Sequence, residues 1–370
     1  MLKIVGVLLC SLLISGSSNH HNVLGFWHVL NAKANAVQSY WQFPRYFSQH
    51  LQLLPDFKLA LLARNKIPLA QYVYSLRLLK NKRSDTAKLF WQASIYSLSE
   101  SQRQNLARQL FTQSRWDDLK LLAKNGLLPK GDTLNHLNLK LSAPYTNIPE
   151  SFIHNLGFLA LGSELPVNNQ CLFNVVTMSD HRSGLYKLSE LIKKYNEKPE
   201  PDNNVFCFTK PVYVAGAIDC TNTVNKMAQC NWQSSSLKKQ LSGKFDFIIM
   251  MPRYGSANVQ NNIMQLNSHV NYNVFLHELM HFSGFEDEYA LPNTKQAWLC
   301  SKKGFVAPNL FISHGEPAPK GWYKSESCQQ GGTAYKPSKT WSIMEYQQIG
   351  LSGQYRALWQ AHIKATPHRF

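Results

Sequence analysis

The sequence predicts an α+β chain: an all-α N-terminal region of helical hairpins, solenoid-like in texture, followed by a mixed α/β region. Three observations point there. Apolar residues recur at helical spacing over residues 40–140, short apolar runs bounded by turn residues replace them past residue 145, and six of the seven cysteines lie beyond residue 170. At 370 residues the chain has room for two or three domains. With 44% hydrophobic and 12% aromatic residues it can bury a core, which excludes a mainly disordered protein.

Residues 1–18 carry one lysine ahead of an apolar stretch and then small residues, the layout of a secretory signal with cleavage near residues 15–18. The stretch is shorter than the ~20 residues of a membrane span, and nothing later in the chain is long and apolar enough to be one. An uncleaved anchor is the alternative. Helices are then expected over residues 57–63, 69–79 (with Pro68 in the first turn), 87–98, 100–111 and 116–122. Ser99 and Gln102 form a capping-box pair, and Asn125-Gly126 closes the last of these helices. The texture is similar to tetratricopeptide or Sel1-type arrays, without a strict repeat period. Residues 144–149 are expected as a linker, giving a signal (1–18), a helical domain (19–145) and a second domain (150–370).

In the second domain, strands are expected at 171–178, 205–208, 212–218 and 245–251, with an amphipathic helix at 185–195. The run FDFIIMM at 245–251 reads as a strand buried on both faces. Cys171, Cys207, Cys220, Cys230, Cys300 and Cys328 make an even set in an exported chain and imply disulfides. Proximity favours Cys220–Cys230 and Cys300–Cys328, leaving Cys171–Cys207. The absence of any CxxC pair argues against a cysteine metal site.

Net charge is +17, of which +11 falls in residues 1–150. That balance suits an anionic envelope surface docked by the basic N-terminal domain, or simply a solvated basic surface. Specific nucleic-acid binding is not expected, since the basic residues are scattered and the chain is exported, to the periplasm or outside the cell.

The chemistry concentrates in one segment, His277-Glu278-Leu279-Met280-His281-Phe282-Ser283-Gly284-Phe285-Glu286-Asp287-Glu288-Tyr289. Its first part has helical composition, so His277 and His281 share one face and can bind one metal ion. Glu278 lies a step round the helix, where it can accept a proton from water instead of binding metal. An HExxH string is expected by chance only about 0.015 times in a chain of this composition. Gly284 can take a positive φ and turn the chain back, so that Asp287 becomes available as a third ligand. Glu286, Glu288 or a glutamate distant in sequence could serve instead.

HExxHxxGxxD resembles the motif of the metzincin zinc peptidases, HExxHxxGxxH, with Asp in the third ligand position as in snapalysin-type members. The Asp-Glu-Tyr that follows also resembles IgA-peptidase-type metallopeptidases, at a spacing one residue shorter. Ser342-Ile343-Met344-Glu345-Tyr346 is similar to the metzincin Met-turn. The resemblance implies one catalytic Zn²⁺ held by His277, His281 and Asp287, Glu278 as general base, Met344 beneath the metal, and Tyr346 as a transition-state partner. Met344 and Tyr346 could also be ordinary core residues. The family layout further implies an edge strand within residues 254–268 and a last helix at 355–364.

The expected function is an exported zinc endopeptidase hydrolysing peptide bonds of a protein or peptide substrate. The alternatives are a zinc amidase acting on cell-wall peptide and a non-catalytic envelope-binding protein that keeps the fold. An Asp ligand adds a negative charge at the metal, which implies an activity optimum at higher pH than that of a three-histidine site. Residues 19–170 hold no cysteine, so a cysteine-on-zinc inhibitory switch is excluded and the helical domain is read as a docking platform or as an inhibitor of another kind.

Overall fold

The computed structural model describes residues 36–220, 226–231, 237, 241 and 243–365. The expected signal at 1–18, with Cys10, lies outside the described residues. The chain divides into two compact units, Met1–Leu134 and Asn135–Phe370. No helix among the described residues is long and apolar enough to cross a membrane.

The first unit is helical: α1 (Ala36–Gln42), α2 (Pro44–His50), α3 (Asp56–Arg64), α4 (Pro68–Lys80), α5 (Ser84–Ser94), α6 (Glu100–Thr112) and α7 (Trp116–Lys124). Apolar side chains such as Leu59, Leu62, Leu79, Trp91, Leu106 and Leu119 are buried between them. Pro68 starts α4, and Ser99 caps α6 in a complete capping box with Gln102. Four helices end alike, with the second residue past the helix cap donating its N–H to a leucine five residues back: Ile67 to Leu62, Arg83 to Leu78, Arg115 to Leu110 and Leu127 to Leu122. Lys66, Lys82, Ser114 and Gly126 take the left-handed conformation that this turn requires. Residues 95–97, expected as helix, form a 3-10 turn that leads to Leu98.

Helix α8 (Asp132–Lys140) carries the division between the units at Leu134, and α9 (Glu150–Asn155) follows. Residues 144–149 hold a short 3-10 turn, and Tyr145 donates its N–H to Ala215 at 2.8 Å.

The second unit is built on a seven-stranded sheet. Its strands are β1 (Leu159–Ala160), β2 (Phe173–Ser179), β3 (Phe206–Phe208), β4 (Val212–Tyr213), β7 (Phe247–Met251), β8 (Asn258–Gln260) and β9 (Ile263–Gln265). The order is β1-β4-β2-β7-β9-β8, with β3 also pairing β2. All pairs are parallel except the β8–β9 hairpin. The predicted edge strand at 254–268 is thus two strands, and only β8 lies at the edge. The strand expected at 212–218 is cut to two residues, because Gly216 turns the chain with a positive φ.

Helix α10 (Arg182–Glu197), the helix α11 (Tyr272–Phe282) and the last helix α13 (Gly353–Ala365) share one core with the face of β2 and β7 that carries Val175, Ile249 and Met251. The opposite face, with Val176 and Met250, has its own core, as the FDFIIMM run predicted. Between α11 and α13 stand α12 (Asn293–Leu299) and a four-stranded antiparallel sheet of β10 (Gly304–Ala307), β11 (Leu310–Ser313), β13 (Thr333–Lys336) and β12 (Tyr323–Lys324). The remaining pair, β5 (Asp219–Cys220) with β6 (Cys230–Asn231), carries a disulfide. The three disulfides are Cys171–Cys207, Cys220–Cys230 and Cys300–Cys328, the pairing that proximity favoured.

Ser99→Ala removes an acceptor for the α6 N-terminus. It should lower the stability of the helical unit by about 1 kcal/mol, read by denaturant unfolding.

Candidate metal centre

Helix α11 presents the site. Asn271 caps it by accepting the Val274 N–H at 3.0 Å, and seven of the eleven helix residues are buried. His277 and His281, one turn apart, point the same way, with ring centroids 4.7 Å apart. Gly284 takes φ 81°, and Phe285 donates back to the Met280 carbonyl at 3.1 Å. This left-handed helix end returns the chain and brings Asp287 under the two imidazoles.

Each imidazole donates Nδ1–H to a backbone carbonyl, His277 to Ile343 at 2.9 Å and His281 to Phe285 at 2.8 Å. In the neutral tautomer this leaves both Nε2 atoms as lone-pair donors. They stand 3.1 Å apart, and Asp287 Oδ1 is 3.1 Å from His281 Nε2 and 3.3 Å from His277 Nε2. Three electron-rich atoms in a buried space repel one another unless a cation lies among them. The donor set therefore fits a metal ion. Without metal, the cation is a proton on His281.

The ionisation of the side chains follows from this. Burial opposes charge on His281, but the hydrogen bond and charge of Asp287, with Glu278 and the Phe285 carbonyl, outweigh it and hold its pKa at about 9. Burial by itself would raise Asp287, yet the two imidazoles beside it, with the proton on His281, keep its carboxylate far below the usual range. Glu278 has an oxygen within 4.8 Å of both imidazole donors. Burial raises its pKa against the pull of His281 and His277. Its carboxyl makes no hydrogen bond among the described residues, which leaves it available to a water proton.

The loop carrying Asp287 is clamped from the four-stranded sheet, which the sequence did not foreshadow. Asn309, at the β10–β11 turn, accepts the Glu286 N–H at 2.9 Å and donates to the Glu286 carbonyl at 2.7 Å. Ser327 donates to the Asp287 carbonyl at 3.0 Å and Ser325 to that of Glu288 at 2.8 Å. The Cys300–Cys328 disulfide joins the end of α12 to the segment bearing these serines.

Glu288 is fully buried and is not among the three donors. Its carboxylate accepts from Ser342 at 2.5 Å, from Asn309 at 2.8 Å and from the Tyr355 hydroxyl, with the Lys336 ammonium 4.0 Å away. Its own N–H donates to Met344 at 2.9 Å. One carboxylate thus ties the Asp287 loop to the turn at 342–346, to α13 and to the second sheet. Burial raises its pKa against these hydrogen bonds.

The turn at 342–346 lies against His277 through the Ile343 carbonyl, and Met344 is buried in the core shared by α11 and α13. Tyr346 is half-exposed, its ring 5.6 Å from that of Trp341. Its hydroxyl makes no hydrogen bond among the described residues. Tyr289, which the sequence reading left without a role, lies beside the donors; burial raises its pKa, and the charge and hydrogen bond of Asp287 add to that. The six cysteines are all in disulfides, remote in role from the metal donors.

No family model, curated protein or solved structure matches this chain.

Glu288→Gln places an amide N–H₂ among three donors. It should cost about 2–3 kcal/mol of stability, read by thermal unfolding, whereas an unchanged transition would deny Glu288 its tying role. The metal-free protein should also lose stability as pH rises. His281 has its pKa raised from 6.5, so its contribution is complete below pH 6.5 and is lost as pH passes about 9. Asp287, held below its ordinary value of 3.8, contributes above that pH and loses its contribution as pH falls. Melting of chelator-treated protein between pH 6.5 and about 9.5 should show this decline, and Asp287→Asn should flatten it.

Proposed function

We propose that the chain is a zinc-dependent endopeptidase of metzincin type acting in an oxidising, extracytoplasmic compartment. The observation that carries the reading is the mutual spacing of the three donors, 3.1, 3.1 and 3.3 Å. Tetrahedral zinc with bonds of ~2.0 Å requires ligand separations of about 3.3 Å. His277, His281 and Asp287 would hold the ion; Glu278 sits beside them as a second carboxylate with another task. Three disulfides are those of a chain that folds under oxidising conditions.

Bound there, zinc would supply Lewis acidity to a scissile carbonyl and to an attacking water. The protein supplies the rest. Glu278, buried and free of protein hydrogen bonds, takes the proton from the attacking water and returns it to the leaving amine. Its burial raises its proton affinity, which suits both halves of that transfer. The carbonyls of Ile343 and Phe285 hold the imidazole rings in one tautomer and orientation. Tyr346, with a free hydroxyl two residues beyond the buried Met344, is assigned the hydrogen bond to the developing oxyanion. An intact, unpaired Glu278 favours this reading over a non-catalytic protein, because a buried carboxyl without a partner costs stability and a purely structural site gains nothing from it.

Glu278→Gln should keep one zinc per chain while hydrolysis of a random peptide library falls by several orders of magnitude. Cleavage at the wild-type rate by that variant would end the reading. Tyr346→Phe should lower kcat about 100-fold with zinc content unchanged.

A further inference from the structure

One ammonium group stands beside the three donors. Lys295, in the first turn of α12, places Nζ 2.5 Å from Glu286 Oε2 and 3.7 Å from Asp287 Oδ2. Asp287 is thereby divided: Oδ1 faces the two imidazoles and Oδ2 faces the lysine. The ammonium is not placed by chance of solvent. Glu286 holds it, and Asn309 grips the Glu286 backbone on both its N–H and its carbonyl. Facing Asp287 are then the two imidazoles and the Lys295 ammonium on one side, with the Glu278 and Glu286 carboxylates on the other. Lys336 is engaged elsewhere, with Glu345 and towards Glu288.

We propose that Lys295 is a positioning residue that counterbalances the carboxylate ligand. It draws Oδ2 away, so that Asp287 offers a single oxygen to the metal, and it offsets the negative charge that an aspartate brings where a histidine would be neutral. This rests on the zinc-peptidase reading. It also alters an expectation drawn from the sequence: the pH penalty of an Asp ligand is reduced by a cation that lies in the next segment of chain.

The sign of one measurement separates this role from simple packing. A lysine that only props the loop would, when removed, loosen Asp287 and weaken zinc binding. A counterbalancing cation repels the metal, so its removal strengthens binding while hydrolysis falls. Lys295 is part-exposed and paired with Glu286, so its charge is screened nearly as in bulk water, and a unit and a divalent charge about 6 Å apart then make the expected change roughly tenfold.

The experiment is zinc affinity by chelator competition, with zinc alone as the probe and the full chain as the protein. Lys295→Met should bind zinc about tenfold more tightly, with kcat reduced and KM little changed; Lys295→Arg should restore both towards wild type. Glu286→Gln, which keeps the lysine and removes its nearest anion, should move zinc affinity the other way, severalfold weaker, and serves if Lys295→Met does not fold. Equal or weaker zinc binding by Lys295→Met, or unchanged binding by Glu286→Gln, overturns the inference and leaves the peptidase reading standing. Wild-type protein that takes up no zinc, or takes it up equally well as His277→Ala, overturns that reading and this inference with it.

Discussion

Two imidazole nitrogens and a carboxylate oxygen face one another at 3.1–3.3 Å inside a buried space, and that arrangement holds only with a cation among them. Most of the second unit can be understood as what keeps these atoms there. The two histidines come from one turn of a buried helix, which fixes their separation. Carbonyls at 343 and 285 fix their tautomers. The third atom comes from a loop, and a loop is a poor support for a precise donor. The protein answers this with three clamps from a separate small sheet, Asn309, Ser325 and Ser327, and with a disulfide that closes the same segment.

Glu288 shows how such a support can be built from costly parts. A carboxylate with no solvent exposure is expensive unless its oxygens are satisfied, and here Ser342, Asn309 and Tyr355 satisfy them, with Lys336 close by. The same cost gives specificity: these partners come from three separate parts of the chain, and all must be in place before the burial is tolerable. A half-formed site would leave a buried anion with too few donors. The adjacent Asp287 and Glu288 therefore divide their work, one facing the two imidazoles and the other facing the scaffold.

How much of this could be read from the sequence depends on how local the controlling interactions are. The HExxHxxGxxD string contains its own geometry, since helical spacing places the histidines and a left-handed glycine returns the chain. Helix starts at Pro68 and Ser99, and the doubly buried strand at 247–251, were legible for the same reason. The recurring helix end in the first unit was not, because its left-handed residue is Lys, Lys or Ser at 66, 82 and 114 in place of glycine. The four-stranded sheet escaped notice because its strands are two to four residues long and carry Lys, Ser and Gly among their apolar positions. Glu288 has partners 21, 54 and 67 residues away, a relation that no short motif records. Lys295 lies outside any motif as well, and its meaning emerges only when α12 sets it beside Asp287.

The most direct measurement of the central claim is anomalous diffraction from zinc-loaded crystals, recorded above and below the zinc absorption edge. The account predicts one peak, about 2.0–2.2 Å from His277 Nε2, His281 Nε2 and Asp287 Oδ1, with Glu278 outside bonding distance. A peak bonded to Glu278 with Asp287 turned away, or no peak between the two imidazoles, would contradict it.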